Sequence, residues 1–137
     1  MHHNGPLYAR RVNDRIQVGF RVLEQHCNPM GMCHGGMLST FCDMLLPSVA
    51  IHQTTMERRF LPTISLQVDF LAGAAKGAWV QGEGDVLRTT RNMVFIQGLV
   101  TADGAPAVRV SGIFKMGPLM DQSRPADTYN LRGDTPA

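Results

Sequence analysis

Apolar and polar residues alternate along "VNDRIQVGFRV", where Ile16, Val18, Phe20 and Val22 recur at every second position. That period belongs to a strand with one face in a core and the other toward water. A different rhythm begins after the loop "CNPMGMCHGG". From Gly36 to about Ala50, Leu38, Phe41, Leu45 and Val49 recur at intervals of three and four, which predicts a helix with one apolar stripe. "HQTTMERR" leaves the helix as a polar connection, and the alternation then returns four times. "TISLQVDFL" sets Ile64, Leu66, Val68 and Phe70 on one face; "AWVQGEGDVLR" and "NMVFIQGLVTA" follow; "APAVRVSGIFKM" keeps Val108, Val110 and Phe114 in step. "LRTTRN" and "ADGAP" are the expected hairpin turns, the Asp-Gly of the second being a strong turn signal.

One strand, one long helix and four consecutive strands imply an α+β domain. An antiparallel sheet curled around the single helix is the economical way to bury its stripe. Residues 1–117 are expected to form this one domain. From Pro118 onward, residues 118–137 are polar, carry prolines and show no period, so a flexible C-terminal tail is expected.

Composition narrows the function classes. A chain of 137 residues, 44% hydrophobic and 18% charged, has the size and balance of one globular domain. A net charge of +2 without a Lys/Arg run argues against nucleic acid, and every apolar stretch is too short for a membrane span. "MHHNGPLYARR" lacks the apolar centre of a signal peptide. Three cysteines, an odd count without framework spacing, fit a reducing cytoplasm.

Reactive side chains concentrate in "HCNPMGMCHGGMLSTFCDMLLPSVA". His26, Cys27, Cys33 and His34 are conceivable zinc ligands, but they lack the paired spacing of such sites, and adjacent ligands point apart on an extended segment. They read instead as small buried thiols and loop histidines, and no metal or bound cofactor is expected. A Cys33–His34 nucleophile pair is disfavoured because sequence neighbours rarely meet within hydrogen-bond reach. Gly35-Gly36 sits where loop becomes helix. The first helical N–H groups have no intrahelical partner, and with the positive end of the helix dipole they suit an oxyanion or polarised carbonyl. His34, just ahead, can add a side-chain donor.

Asp43 interrupts an otherwise apolar helix between Cys42 and Met44. A carboxylate there must be satisfied, exposed or functional. It stands eight residues from Gly35, about 12 Å along a helix axis, so the two cannot touch one reacting carbon within one chain. Two such helices packed antiparallel across a two-fold axis would bring Gly35 of one to Asp43 of the other. A catalytic reading of these residues therefore requires a homodimer.

"NPMGMCHGG" followed by Asp43 resembles the signature of hotdog-fold acyl-CoA thioesterases, chiefly the phenylacetate-pathway type and its mammalian relatives, related in turn to 4-hydroxybenzoyl-CoA thioesterases. The likeness continues through "LPTISLQVDFLAGA" and "DGAPAVRVSGIFK" and covers roughly Leu7 to Gly117. It implies a hotdog fold, hydrolysis of an acyl-CoA thioester to free acid and coenzyme A, and sites shared across a homodimer, with a dimer of dimers also open. Asn28 corresponds to the Asn that orders the loop, His34 to the helix-capping His, and Gly35 to the N–H that polarises the thioester carbonyl. Asp43 corresponds to the general base or nucleophile, and Thr63 to a hydroxyl that orients water. Arg88 and Arg91 fall in the hairpin that meets coenzyme A phosphates in relatives. Met37 and Met44 would line the acyl pocket between subunits.

The chain also departs from the pattern. Ala72-Gly73-Ala74 replaces a common Arg-Pro-Ala, and the leading helix is missing or truncated. Pro47 replaces a hydroxyl four residues after Asp43 and should kink the helix, with Ser48 as a substitute hydroxyl on a shifted face. The rival reading is a non-catalytic acyl-thioester binding or regulatory protein on the same scaffold. A hotdog dehydratase is disfavoured because its catalytic His lies on the helix, whereas His34 precedes it.

Overall fold

The computed structural model describes residues 6–120 and 131–132. It opens with two strands where the alternation predicts one. β1 (Leu7–Val12) and β2 (Arg15–Arg21) form a hairpin that pairs Val12 with Arg15. Its two-residue turn is Asn13-Asp14, with φ of 50° and 65°. Asn and Asp tolerate this left-handed region, and the resulting turn matches the strand twist. The expected continuous strand over "VNDRIQVGFRV" is thus corrected: its second and third residues are a turn.

A short 3-10 turn (Glu24–His26) and the loop after it lead to helix α1 (Gly35–Gln53). β3 (Thr63–Phe70), β4 (Trp79–Thr89), β5 (Met93–Ala102) and β6 (Ala105–Lys115) follow. β7 (Leu131–Arg132) closes the order β3-β6-β5-β4-β2-β1-β7. Six strands pair antiparallel around one helix, and β7 adds two residues parallel to β1. Both predicted turns occur, and Asp103 and Gly104 of the second carry φ of 48° and 86°. Two parts of the segment expected to be a flexible tail pair with the domain. Pro118–Met120 runs along Arg58–Phe60 through Phe60 N–H to Pro118 O (2.9 Å) and Met120 N–H to Arg58 O (2.8 Å), and β7 lies on β1. The rest of it, 121–130 and 133–137, lies outside the described residues.

The predicted stripe Leu38, Phe41, Leu45 and Val49 is buried, but so are Met37, Cys42, Met44, Leu46, Pro47, Ser48 and Ala50. The curled sheet covers more of the helix than one stripe, and four glycines on its inner face explain the fit. A Cβ at Gly82 would lie 2.5 Å from Leu45 Cδ2, at Gly84 3.2 Å from Val49 Cγ2, at Gly98 3.1 Å from Leu46 Cδ2, and at Gly112 3.0 Å from Leu46 Cδ1. Their missing side chains let the helix settle onto the strands. Each Leu or Val so enclosed contributes about 1.5–3 kcal/mol of burial. Pro47 has no N–H for the Asp43 carbonyl, yet α1 continues six residues beyond it. Ser48 is buried and its Oγ donates to Met44 O at 3.0 Å, so it cannot stand in for a hydroxyl at the site.

β3 departs most from its predicted role. Ile64 and Phe70 are 53% and 54% exposed, while Leu66 and Val68 are half-buried. It is the outermost strand, its register against β6 slips between Thr63 and Ser65, and its far edge has no strand partner among the described residues.

Candidate active site

The loop before α1 is built from its own polar groups. Asn28 Oδ1 accepts the N–H groups of Met30 (2.9 Å) and Met32 (3.2 Å), and Asn28 N–H donates to Met32 O at 2.8 Å. The departure segment Ala72-Gly73-Ala74 braces this loop, since Cys33 N–H donates to Ala74 O at 2.8 Å. His26 is buried; its Nδ1 accepts Leu23 N–H at 2.9 Å and its ring stands edge-on to Phe20. Its carbonyl takes the N–H of His34 at 2.8 Å, which ties the loop directly to the residue before Gly35. His26 is thus a loop anchor, and among the described residues no group of three or more His, Cys, Asp or Glu is placed to hold a metal ion.

His34 is the N-cap residue. It caps through its carbonyl, which accepts from Met37 and Leu38 N–H at 3.1 Å each, while its exposed side chain makes no cap bond. Gly35 and Gly36 are exposed, and neither N–H has a backbone acceptor among the described residues. The free donors expected at the helix start are therefore present.

Asp43 faces outward from a helix otherwise buried around it. Its Oδ1 accepts the Thr63 hydroxyl at 2.6 Å, so two residues twenty apart in sequence meet. Burial, with the Asp43 charge adding to it, pushes the neighbouring Cys42 thiol up to about 12. Cys33 rises to about 11, again mainly from burial.

The other end of β3 touches the other end of the site. A Cβ on Gly35 would meet Phe70 Cζ at 3.3 Å and Cε1 at 3.5 Å, so the tip of this ring lies on the helix start. Residue periodicity missed Phe70 because it assigned the whole alternating face of β3 to the core. Nothing in the alternation marks β3 as the outermost strand, so no sequence signal set Phe70 apart. Arg88 and Arg91 are exposed and are not gathered at this site within the chain. Thr63, Phe114, Val94 and Thr89 form one row across β3, β6, β5 and β4, which sets the Arg-bearing hairpin about 14 Å from Thr63 at the usual strand spacing. Met37 and Met44 are buried. A cleft of about 300 Å³, lined by residues such as Arg15, Asp85, Gln97 and Arg109, opens on the opposite face of the sheet and includes none of Gly35, Asp43 or Thr63.

The model of the thioesterase superfamily matches residues 30–107, more than half of the chain, from within the loop ahead of α1 to the start of β6. The chain belongs to the thioesterase superfamily. A Pseudomonas aeruginosa relative, PA0474, provisionally named an esterase, is 29% identical over 113 residues, 82% of this chain and 84% of that protein. Solved structures share the fold, two of them with coenzyme A or acetyl CoA bound. A Streptococcus pneumoniae TIGR4 thioesterase protein with coenzyme A aligns at a TM-score of 0.74 and 16% identity, over 85% of this chain and 92% of that one. The smu.793 protein of Streptococcus mutans UA159, bound to acetyl CoA, aligns at 0.72 and 14%, over 85% and 93%. The chain is a hotdog-fold thioester hydrolase, as the sequence signature implied. No helix among the described residues is long and apolar enough to cross a membrane.

Proposed function

We propose that this thioesterase hydrolyses acyl-CoA thioesters at two equivalent sites shared between the subunits of a homodimer. The observation that carries the reading is Asp43, exposed in mid-helix and held by Thr63 on the strand whose outer edge has no partner among the described residues. In this arrangement Asp43 of the partner subunit acts as general base or nucleophile, and Thr63 beside it orients the attacking water. The Gly35 N–H receives the carbonyl oxygen as negative charge develops on it. His34 adds a donor at the rim, Asn28 keeps the loop in shape, and the acyl group runs toward Met37 and Met44. Coenzyme A in the S. pneumoniae structure and acetyl CoA in smu.793 support the thiol half of the substrate; Arg88 and Arg91 are candidates for its phosphates across the interface. The unpaired cysteines and the absence of framework spacing favour a reducing cytoplasm.

Strand geometry supports the sharing. Thr63 lies at Asp43 and Phe70 at Gly35, so β3 joins the two half-sites of its own chain. Antiparallel pairing of β3 with its copy, centred between Leu66 and Gln67, sets Thr63 of one subunit across from Phe70 of the other. Each Gly35 then gains an Asp43 from the partner. The exposed Ile64, Phe70 and Leu71 would be covered in the same step.

Mixed dimers test this. Gly35→Pro removes the carbonyl donor and Asp43→Ala removes the acid, so each homodimer has two broken sites. His34 already holds φ −59° and ψ 138°, the region favoured before proline, and position 35 is the first helical residue, where proline is tolerated. In a heterodimer with shared sites, one site carries both lesions and the other neither, and activity should recover to half of wild type. Folded heterodimers no more active than either parent would sink the shared site, while loss of acyl-CoA hydrolysis in the wild-type protein itself would sink the substrate assignment.

A further inference from the structure

Two thiols that the proposed reaction does not use face each other at the base of the Asn28 loop. Cys27 and Cys33 are direct partners in an antiparallel bridge. The hydrogen bonds around them belong to their neighbours: Asn28 N–H to Met32 O and His34 N–H to His26 O, both 2.8 Å. They are therefore a non-hydrogen-bonded pair, in which Cα atoms stand about 4.5 Å apart and side chains share one side of the ribbon. That separation falls within the window of about 4.4–6.8 Å that a disulfide spans. Both cysteines are free thiols. Cys27 Sγ donates to Leu23 O at 3.4 Å and Cys33 Sγ to His34 O at 3.7 Å, weak contacts that little opposes breaking.

We propose that Cys27 and Cys33 form a peroxide-sensitive dithiol that closes into a disulfide across the base of the loop carrying Asn28. The half-buried Cys27 is the reachable member, and the buried Cys33, its thiol raised to about 11, resolves. The Cys27 thiolate attacks one oxygen of hydrogen peroxide, breaking the O–O bond; the expelled hydroxide takes a proton and leaves as water, with Cys27 as sulfenic acid. The Cys33 thiol then attacks that sulfur, its own proton passing to the expelled hydroxide, which also leaves as water. Two thiols are oxidised by two electrons, one peroxide is reduced, and two waters result. The bond clasps the strands entering and leaving residues 28–32, so the ladder that ends at His34 can no longer open.

The test uses the full chain. After peroxide treatment, free thiols are blocked, disulfides reduced, and the released thiols marked with a second alkylating label located by fragment mass spectrometry. The second label is expected on Cys27 and Cys33 and not on Cys42, in a protein still running as a single chain without reductant. Amide exchange at Asn28 and His34 should slow in the oxidised form and recover with dithiothreitol. Cys33→Ser should leave a trappable sulfenic acid at Cys27, and Cys27→Ser, at the less buried position, should abolish the second label. A second label on Cys42, linkage only between chains, or direct passage of Cys27 to sulfinic acid in the wild-type protein would overturn the proposal.

Discussion

The two margins of the sheet are finished in opposite ways. At one, β1 is covered by β7 and carries Arg10 and Arg11; charge and a short covering strand are common means of stopping a sheet from growing. At the other, β3 has an open edge among the described residues and exposes Ile64 and Phe70, with Phe60 and Leu71 just beyond its ends. The same margin holds Thr63 against Asp43 and Phe70 against Gly35. The open edge and the candidate site residues coincide, whereas the closed edge carries neither. On the proposed function, assembly and chemistry are thus concentrated on one strand.

The strongest way to sharpen this contrast is to remove chemistry from the β3 margin without touching its packing. Asp43→Asn keeps the shape and the contact with Thr63, and it should lower kcat by about two orders of magnitude or more while sedimentation still reports a dimer. Wild-type turnover in that variant would take Asp43 out of the mechanism.

The next test breaks the margins in parallel. Ile64→Lys places a charge on the open edge and should convert the dimer to monomer, with activity falling in proportion to the dimer lost. Val12→Lys, at a residue 37% exposed on β1, should leave both mass and turnover unchanged. Equal effects from the two substitutions would erase the distinction between the margins.

The smallest effect lies at the closed margin. Burial first, then the cations of Arg11 and Arg58, holds the His52 pKa below its ordinary value of 6.5. The unfolded chain therefore takes up the proton first as pH falls. Stability should decline from pH 6.5 down to the lowered folded pKa and level off below it. His52→Gln should flatten that part of the Tm profile, and an unchanged slope would exclude His52 as its source.

Where a side chain's neighbours were close in sequence or repeated at a fixed period, the sequence was legible. The helix stripe, the Asp-Gly turn, the donors at Gly35-Gly36 and the outward Asp43 all follow from local rules. β1 escaped because Asn13-Asp14 looked like part of a polar strand face, and only its positive φ angles reveal a turn. The exposure of Ile64 and Phe70 escaped because alternation reports which residues share a face, not whether anything covers it. Family resemblance marked Thr63 only as a hydroxyl that orients water, and its bond to Asp43 escaped, since nothing local brings residues twenty apart together. Cys27 opposite Cys33 depends on the path of the Asn28 loop, which no period encodes.

The glycines beneath α1 have a consequence for where this protein can accept larger side chains. A methyl group at Gly82 would press on Leu45 of the helix, and one at Gly84, Gly98 or Gly112 would press both on the sheet and on Val49 or Leu46 of the helix, whose side chains would have to give way. Gly35 and Asp43 ride on that same helix, so any shift of it would move both candidate site residues together. The seat of the helix is thus set from beneath, whereas side chains of the β3 rim and of the loop ahead of Gly35 can be exchanged without pressing on it.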